Sequence, residues 1–409
     1  MKPPLGAGSL LPEEVWQAVR LQTIFGCCKW DVQSEDQCVL ARFPLQLAQS
    51  EWRRLANRAE ALSTEALAAE QEIMHREELH GRLGLPRGVR KALRHFEEPD
   101  RCMGAARVMR FDFHFTDQGW RVSEVNADVP GGFIEASGFT ELMSAAYGMT
   151  TAPPNPAQAY AEAVFNATHP GALVGLVHAT GYTDDRQVME YISSEIRALG
   201  MKTCMLSPAH LQWRTGRAQI TCNFATGWPD LLVRFFPADW LPNLGDRNFW
   251  WGYFRGGQTP MSNPGSALLI QTKRFPLVWD DLATPLPTWR ALMPETRCPG
   301  EASDLWSGDW VLKPALGRVG EGVTIPGVSR VEQLAHVKLD VRLHPSAWVA
   351  QRRFQVIPVN VEGQQYYPCL GIFTVDGRAA GAYGRVAKKR LIDGDAQDAA
   401  VLLCEGDLS

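Results

Sequence analysis

The chain has 409 residues, enough for two or three domains and a large core, and its 45% hydrophobic and 21% charged residues are the balance of a globular protein. A net charge of −4 gives no electrostatic reason to expect a nucleic-acid or anionic-membrane partner, and no apolar run is long enough to span a bilayer. The opening MKPPLGAGSLLPEE has neither a basic n-region nor an apolar h-region, so the expected setting is cytoplasmic and the expected partners are small molecules.

Residues 1–150 open with helices. Ser50 is the expected N-cap of an amphipathic run from Glu51 to about Glu78, with Trp52, Leu55, Ala59, Leu62 and Ala66 on one core-facing stripe. Cys27 and Cys28 are adjacent, yet the nine cysteines are odd in number and lack CxxC pairs, so they read as free thiols rather than disulfides or zinc ligands.

A hairpin follows. Arg110, Asp112 and His114 alternate with Met109, Phe111, Phe113 and Phe115, the period of a strand with one polar and one apolar face, and Trp120 to Asn126 alternates in return. A three-residue loop Asp117-Gln118-Gly119 pairs Thr116 with Trp120, His114 with Val122, Asp112 with Glu124 and Arg110 with Asn126. Carboxylates at 112 and 124 then stand side by side, an arrangement that destabilises a sheet unless a cation lies between them. With the neutral oxygen of Asn126, the set suits a hard divalent ion, Mg²⁺ holding a phosphate. The competing reading is a solvated outer face neutralised by Arg110. The loop Ala127-Asp128-Val129-Pro130-Gly131-Gly132 and a helix from Phe133 to Tyr147 follow.

After a linker at Thr151 to Pro156, residues 151–245 read as α/β: a strand Ala172 to Val177, a helix ending near Leu199, and strands at Lys202 to Leu206 and Leu231 to Phe236, the order of a parallel βαβ unit. The loop His178 to Asp185 lacks GxGxxG, which argues against a dinucleotide. From 246 the chain reads as β-rich. A strand Trp310 to Lys313 runs into the turn Gly317-Arg318-Val319-Gly320-Glu321-Gly322 and a return strand Val323 to Ile325; a hairpin Tyr367 to Val375 and Arg378 to Arg385 turns at Asp376-Gly377. Lys313 before a glycine loop suits phosphate oxygens, and Arg385 is a second anion anchor or a surface arginine. An acidic metal hairpin and a lysine with a glycine loop together fit Mg·ATP.

These motifs resemble the glutathionylspermidine synthase family: Arg110-Phe111-Asp112 with Glu124-Val125-Asn126-Ala127-Asp128, Lys313-Pro314 with Gly317-Arg318-Val319-Gly320, and the strand Gly381 to Arg385. The resemblance implies an α+β, α/β architecture, a circularly permuted ATP-grasp fold with an inserted pre-ATP-grasp α/β domain, because the metal residues precede the phosphate lysine. In that layout 1–150 holds helices and the metal-binding part, 151–245 the inserted domain and 246–409 the nucleotide-binding part. It implies an ATP-dependent carboxylate–amine ligase, with Asp112, Glu124 and Asn126 on Mg²⁺, Lys313 and Lys273 on phosphates, Gly317 and Gly320 in the loop over them, and the backbone of Trp348-Val349-Ala350-Gln351 on adenine. Arg110 would stabilise the transferring phosphoryl group and Arg385 hold a phosphate or the acyl group. Two departures stand out: bifunctional members carry an amidase domain for which this length leaves no room, and Val129-Pro130-Gly131-Gly132 replaces hydroxyl residues that help hold glutathione. The alternative function is a nucleotide-binding partner or sensor protein without catalysis.

Overall fold

The computed structural model describes residues 4–34, 37–95, 105–148, 151–245, 249–255, 257–318 and 320–405. Val319 of the glycine turn and residues 246–248, at the expected boundary between the second and third regions, lie outside that set.

An antiparallel sheet organises the molecule. Its strands are β1 (Val108–Thr116), β2 (Gly119–Asn126), β3 (Val359–Val361), β4 (Gln364–Val375), β5 (Arg378–Ala387) and β6 (Gln397–Ala399), in the order β6-β5-β4-β1-β2 with β3 on β4. Strands more than two hundred residues apart thus pair directly: Gly371 faces Asp112 and Phe373 faces Arg110. One face is core. Phe111, Ile372, Ala382 and Val386 share a buried cluster with Leu55, Ala59 and Leu62 of helix α1 (Gln49–Met74). All five residues of the expected stripe are buried, each fully buried leucine contributing roughly 1.5–3 kcal/mol. The helix starts at Gln49, so Ser50 is inside the first turn and is not the cap.

The β1–β2 hairpin keeps the expected register where it carries the charged residues and departs from it near the turn. Asp112 pairs with Glu124 and Arg110 with Asn126, but Phe115 pairs with Trp120 and Thr116 with Gly119, which leaves a two-residue turn instead of three. A bulge between Asp112 and Phe113, with Ser123 as the extra residue on β2, absorbs the one-residue difference. The β4–β5 hairpin turns at Asp376-Gly377 as expected, both residues at positive φ.

Residues 173–262 form the parallel unit. Strands Leu173–Val177, Lys202–Leu206, Leu231–Arg234 and Met261–Ser262 lie in one sheet crossed by helix Thr183–Ala198. Its third strand stops at Arg234, not 236, because Arg234 turns inward: the guanidinium donates to Asn263 O, Phe236 O and Asp128 Oδ1. The β-rich reading from 246 does not hold up to 292, where the described residues form short helical turns around the single strand Met261–Ser262. A small sheet then holds Thr296–Arg297, Trp348–Arg352 and Trp310–Pro314, with Trp348–Arg352 central. Helix α2 (Val331–Leu343) closes a separate core over it, with Val337 and Val341 against Trp310, Leu312 and Trp348. The expected return strand Val323 to Ile325 reduces to one bridge, Leu312 with Thr324.

Candidate active site

Directly paired residues of a sheet point to the same side. The registers therefore put Asn126, Glu124, Asp112, Arg110, Tyr383, Arg385 and Asp398 on one face of the central sheet, opposite the face that packs on α1. The β1–β2 and β4–β5 hairpins, far apart in sequence, share one polar surface.

At its centre Arg110 grips Asp112 with both prongs, Nε to Oδ1 at 2.8 Å and Nη2 to Oδ2 at 3.0 Å, and donates from Nη1 to Gly131 O at 2.6 Å. The guanidinium lies over the Tyr383 ring, 4.9 Å from its centroid. Gly371 makes this possible, since a Cβ there would come within 2.6 Å of Arg110 Cδ. Burial works against the arginine's charge, but Asp112 more than offsets it and its pKa is raised. Asn126 donates to Asp112 Oδ2 at 3.1 Å.

Glu124 meets a lysine. Lys273 Nζ stands 3.1 Å from Glu124 Oε2 and donates to Gly317 O at 2.5 Å. Burial pushes the Glu124 carboxyl up, yet Lys273 and Lys313 outweigh it and hold it at about 2. Lys313 reaches only neutral oxygens, Gln351 Oε1 at 2.7 Å and Ser123 O at 3.2 Å, and burial brings its pKa down to about 8. The Ser123 bulge is what turns that carbonyl toward the lysine. His114 supports it from below, Nε2 3.1 Å from Ser123 Oγ, its ring packed on Phe354 and its pKa pulled to about 4 by burial.

A small, half-open cleft lies between Ser123, Glu124, Lys273, Met293 and Gln351. Gln351 enters it by its side chain, for the Trp348–Arg352 strand is paired on both edges at Ala350 and Gln351, so their main chain is occupied by the sheet rather than open to a base. The glycine loop is clasped: Arg318 pairs with Asp239, lies 3.6 Å from Asp128 and stacks on Trp240. Gly320 presses on the backbone of Ile392 and Asp393, where a Cβ would come within 2.7 Å of Ile392 O. Asp393 O in turn accepts Arg385 Nη2 at 2.7 Å.

Asp112, Glu124, Asn126, Arg110 and Arg385 thus lie on this face and Lys273 and Lys313 beside it, but the like-charged pair has protein counter-ions, Arg110 for Asp112 and Lys273 for Glu124. Among the described residues no three His, Cys, Asp or Glu gather as a ready metal cluster. The donor set is two carboxylates and an amide, hard oxygens on one face with two lysines beside them, whose chemistry would suit a magnesium ion on the carboxylates and phosphate oxygens on the lysines. Asp128 proves structural, fully buried between Arg234 and the Ala238 N–H. Tyr383, Lys29, Glu135 and Asp398 were missed. Period-2 spacing from Arg385 would have found Tyr383; the other three have no local signal.

Residues 26–398 match the family described as glutathionylspermidine synthase preATP-grasp. The chain belongs to the glutathionylspermidine synthase preATP-grasp family. Its fold is shared with a glutathione synthetase-like effector from Globodera pallida, at 13% identity and a TM-score of 0.65 over 96% of this chain and 98% of that one. A putative gamma-glutamylcysteine synthetase from Methylobacillus flagellatus is 12% identical over 80% of this chain and 84% of that one, TM-score 0.43. D-alanyl-alanine synthetase A from Vibrio cholerae is 11% identical over 57% and 88%, TM-score 0.32. No curated protein matches this family member in sequence.

Proposed function

We propose that the protein is an ATP-dependent carboxylate–amine ligase. ATP phosphorylates a carboxylate, an amine attacks the acyl phosphate, and an amide, ADP and phosphate leave. The carboxylate is that of a glutathione-like peptide and the acceptor a polyamine or other amine. The architecture that goes with this reading is a circularly permuted ATP-grasp fold, its metal-binding part in 1–150, its nucleotide-binding part in 246–409 and an inserted pre-ATP-grasp domain in 151–245.

The observation that carries the reading is the shared polar face, on which the β1–β2 carboxylates and the β5 arginine lie together, with Lys273 paired to Glu124 and Lys313 bonded to Ser123 O at its edge. Lys313 and Lys273 would take phosphate oxygens, and Arg110 would stand beside the oxygen on which charge builds. Arg385 would orient the acyl group. Asp112, Glu124 and Asn126 would hold Mg²⁺, which when bound supplies shielding of phosphate charge. ADP release measured over a panel of peptides and amines tests the proposal: release that needs both a carboxylate and an amine supports it. Nucleotide binding with no ADP release from any pair would mean a binding protein instead.

A further inference from the structure

At the far end of the polar face lies a charged cluster that the phosphate and metal residues do not use. Lys29 is 6% exposed, and its Nζ stands 2.7 Å from Glu135 Oε1, 3.0 Å from Asp31 Oδ1 and 3.8 Å from Asp398 Oδ2. Glu135 comes from the π-helical turn Glu135–Phe139 and Asp398 from β6, so three separate elements converge on one ammonium. Negative charge is in excess. Glu135, 5% exposed, keeps its Oε2 buried without a hydrogen-bond partner. Burial and Glu135 push Asp398 up to about 6 in spite of Lys29 and Arg385.

The cluster connects to the reacting residues through Asp398, whose Oδ1 accepts the Tyr383 hydroxyl at 2.6 Å and lies 3.8 Å from Arg385 Nε. The Tyr383 ring is the one beneath Arg110. Lysines 273 and 313 therefore mark one end of the face, Arg110 the middle and Lys29 the other end. Under the ligase reading, on which this inference rests, nucleotide fills the first end and the amine reaches the middle from the second. A further ammonium on that amine would meet Glu135, Asp31 and Asp398, the partners that Lys29 already holds.

We propose that Lys29 determines acceptor specificity as a tethered ammonium: it fills the cation position shared by Glu135, Asp31 and Asp398, so an amine with a second ammonium reaching this position is excluded while Lys29 is present and admitted when it is removed. A lysine Nζ and the end of an alkyl diamine are the same chemical group, so three carboxylates that hold one can hold the other without rebuilding.

The test uses Lys29→Met with 1,4-diaminobutane, butylamine and butanol as probes. In calorimetry and thermal shift the variant should bind either amine at least tenfold more tightly than wild type and be stabilised by it, while butanol does nothing. In turnover only 1,4-diaminobutane should gain, at least tenfold in kcat/KM over wild type, because it can occupy the position with one nitrogen and offer the other. Should Lys29→Met fail to fold alone, Lys29→Met/Asp31→Asn removes one charge of each sign and carries the same measurements. Absence of amine binding by the variant overturns the cation site, and binding without a gain in diamine turnover overturns the specificity role and leaves Lys29 a structural counter-charge. If wild type turns over no pair of substrates, the ligase reading fails separately, and the specificity role with it, whereas the binding arm still decides the cation site.

Discussion

The two ends of the polar face carry opposite unmet charge. At the cleft end Lys313 hydrogen-bonds only to neutral oxygens, and burial outweighs the pull of Glu124 and brings its pKa down to about 8. At the other end three carboxylates share Lys29, and Asp398 is up at about 6. Between them Arg110 and Asp112 are matched, two hydrogen bonds to one carboxylate. Desolvating a charge without a partner is costly, so an excess of one sign held inside a fold indicates what the ligand brings. The difference teaches that the face holds a buried cation in want of a close counter-charge at one end and carboxylates gathered on one lysine at the other, with a balanced pair between them.

The middle should be the most sensitive part. Asp112→Asn strands a buried guanidinium and should cost about 3–5 kcal/mol in urea unfolding, together with most of the activity. Glu124→Gln should also abolish most turnover but cost less stability, because Lys273 keeps Gly317 O. Equal losses of stability would break the contrast between a matched centre and an end awaiting its ligand.

Arg110→Lys keeps the charge and loses the planar fork, so kcat should fall by one to three orders of magnitude, about 1.4–4 kcal/mol of barrier, with a smaller change in the KM for ATP. Near wild-type kcat would leave Arg110 as a counter-charge only.

At the cleft end Lys313→Ala should weaken ATP binding about ten- to a hundredfold, roughly 1.5–3 kcal/mol, and leave amine affinity unchanged. Comparable losses for both ligands would mean that the two ends are not separate. The pH dependence sharpens the point. Folding lowers the pKa of Lys313 from 10.5 to about 8, so the unfolded chain binds its proton more tightly. The charged lysine therefore costs stability below about pH 8, and the cost is relieved as pH rises toward 10.5. Nucleotide affinity should run the other way, falling as pH rises through about 8, and should stay flat in Lys313→Arg. Parallel trends in ATP titrations and urea unfolding at pH 7.5 and 9.5 would contradict the assignment.

The charged half of the β1–β2 hairpin was legible because alternation and the return strand fix which carboxylates face each other. The turn half was not, since the bulge at Ser123 has no residue signature and moves His114 opposite Arg121 instead of Val122. The βαβ unit and the Asp376-Gly377 turn followed from apolar runs and turn chemistry, whereas Ser50 lost the cap position because α1 begins one residue before it. The expected adenine strand is a strand, but sequence gives no sign that a partner such as Thr296–Arg297 covers its second edge. The acceptor end was invisible for a plainer reason. Lys29, Glu135 and Asp398 belong to three distant segments and meet only through tertiary packing.

Transfer of a carboxylate oxygen to phosphate tests the central claim most directly. The protein is incubated with ATP, an amine and peptides whose carboxylates carry ¹⁸O, and the released phosphate is analysed by mass. An acyl phosphate leaves one labelled oxygen in each phosphate, with ADP and amide formed in equal amounts. Release of phosphate that carries no label, or no consumption of ATP with any peptide and amine, would contradict it.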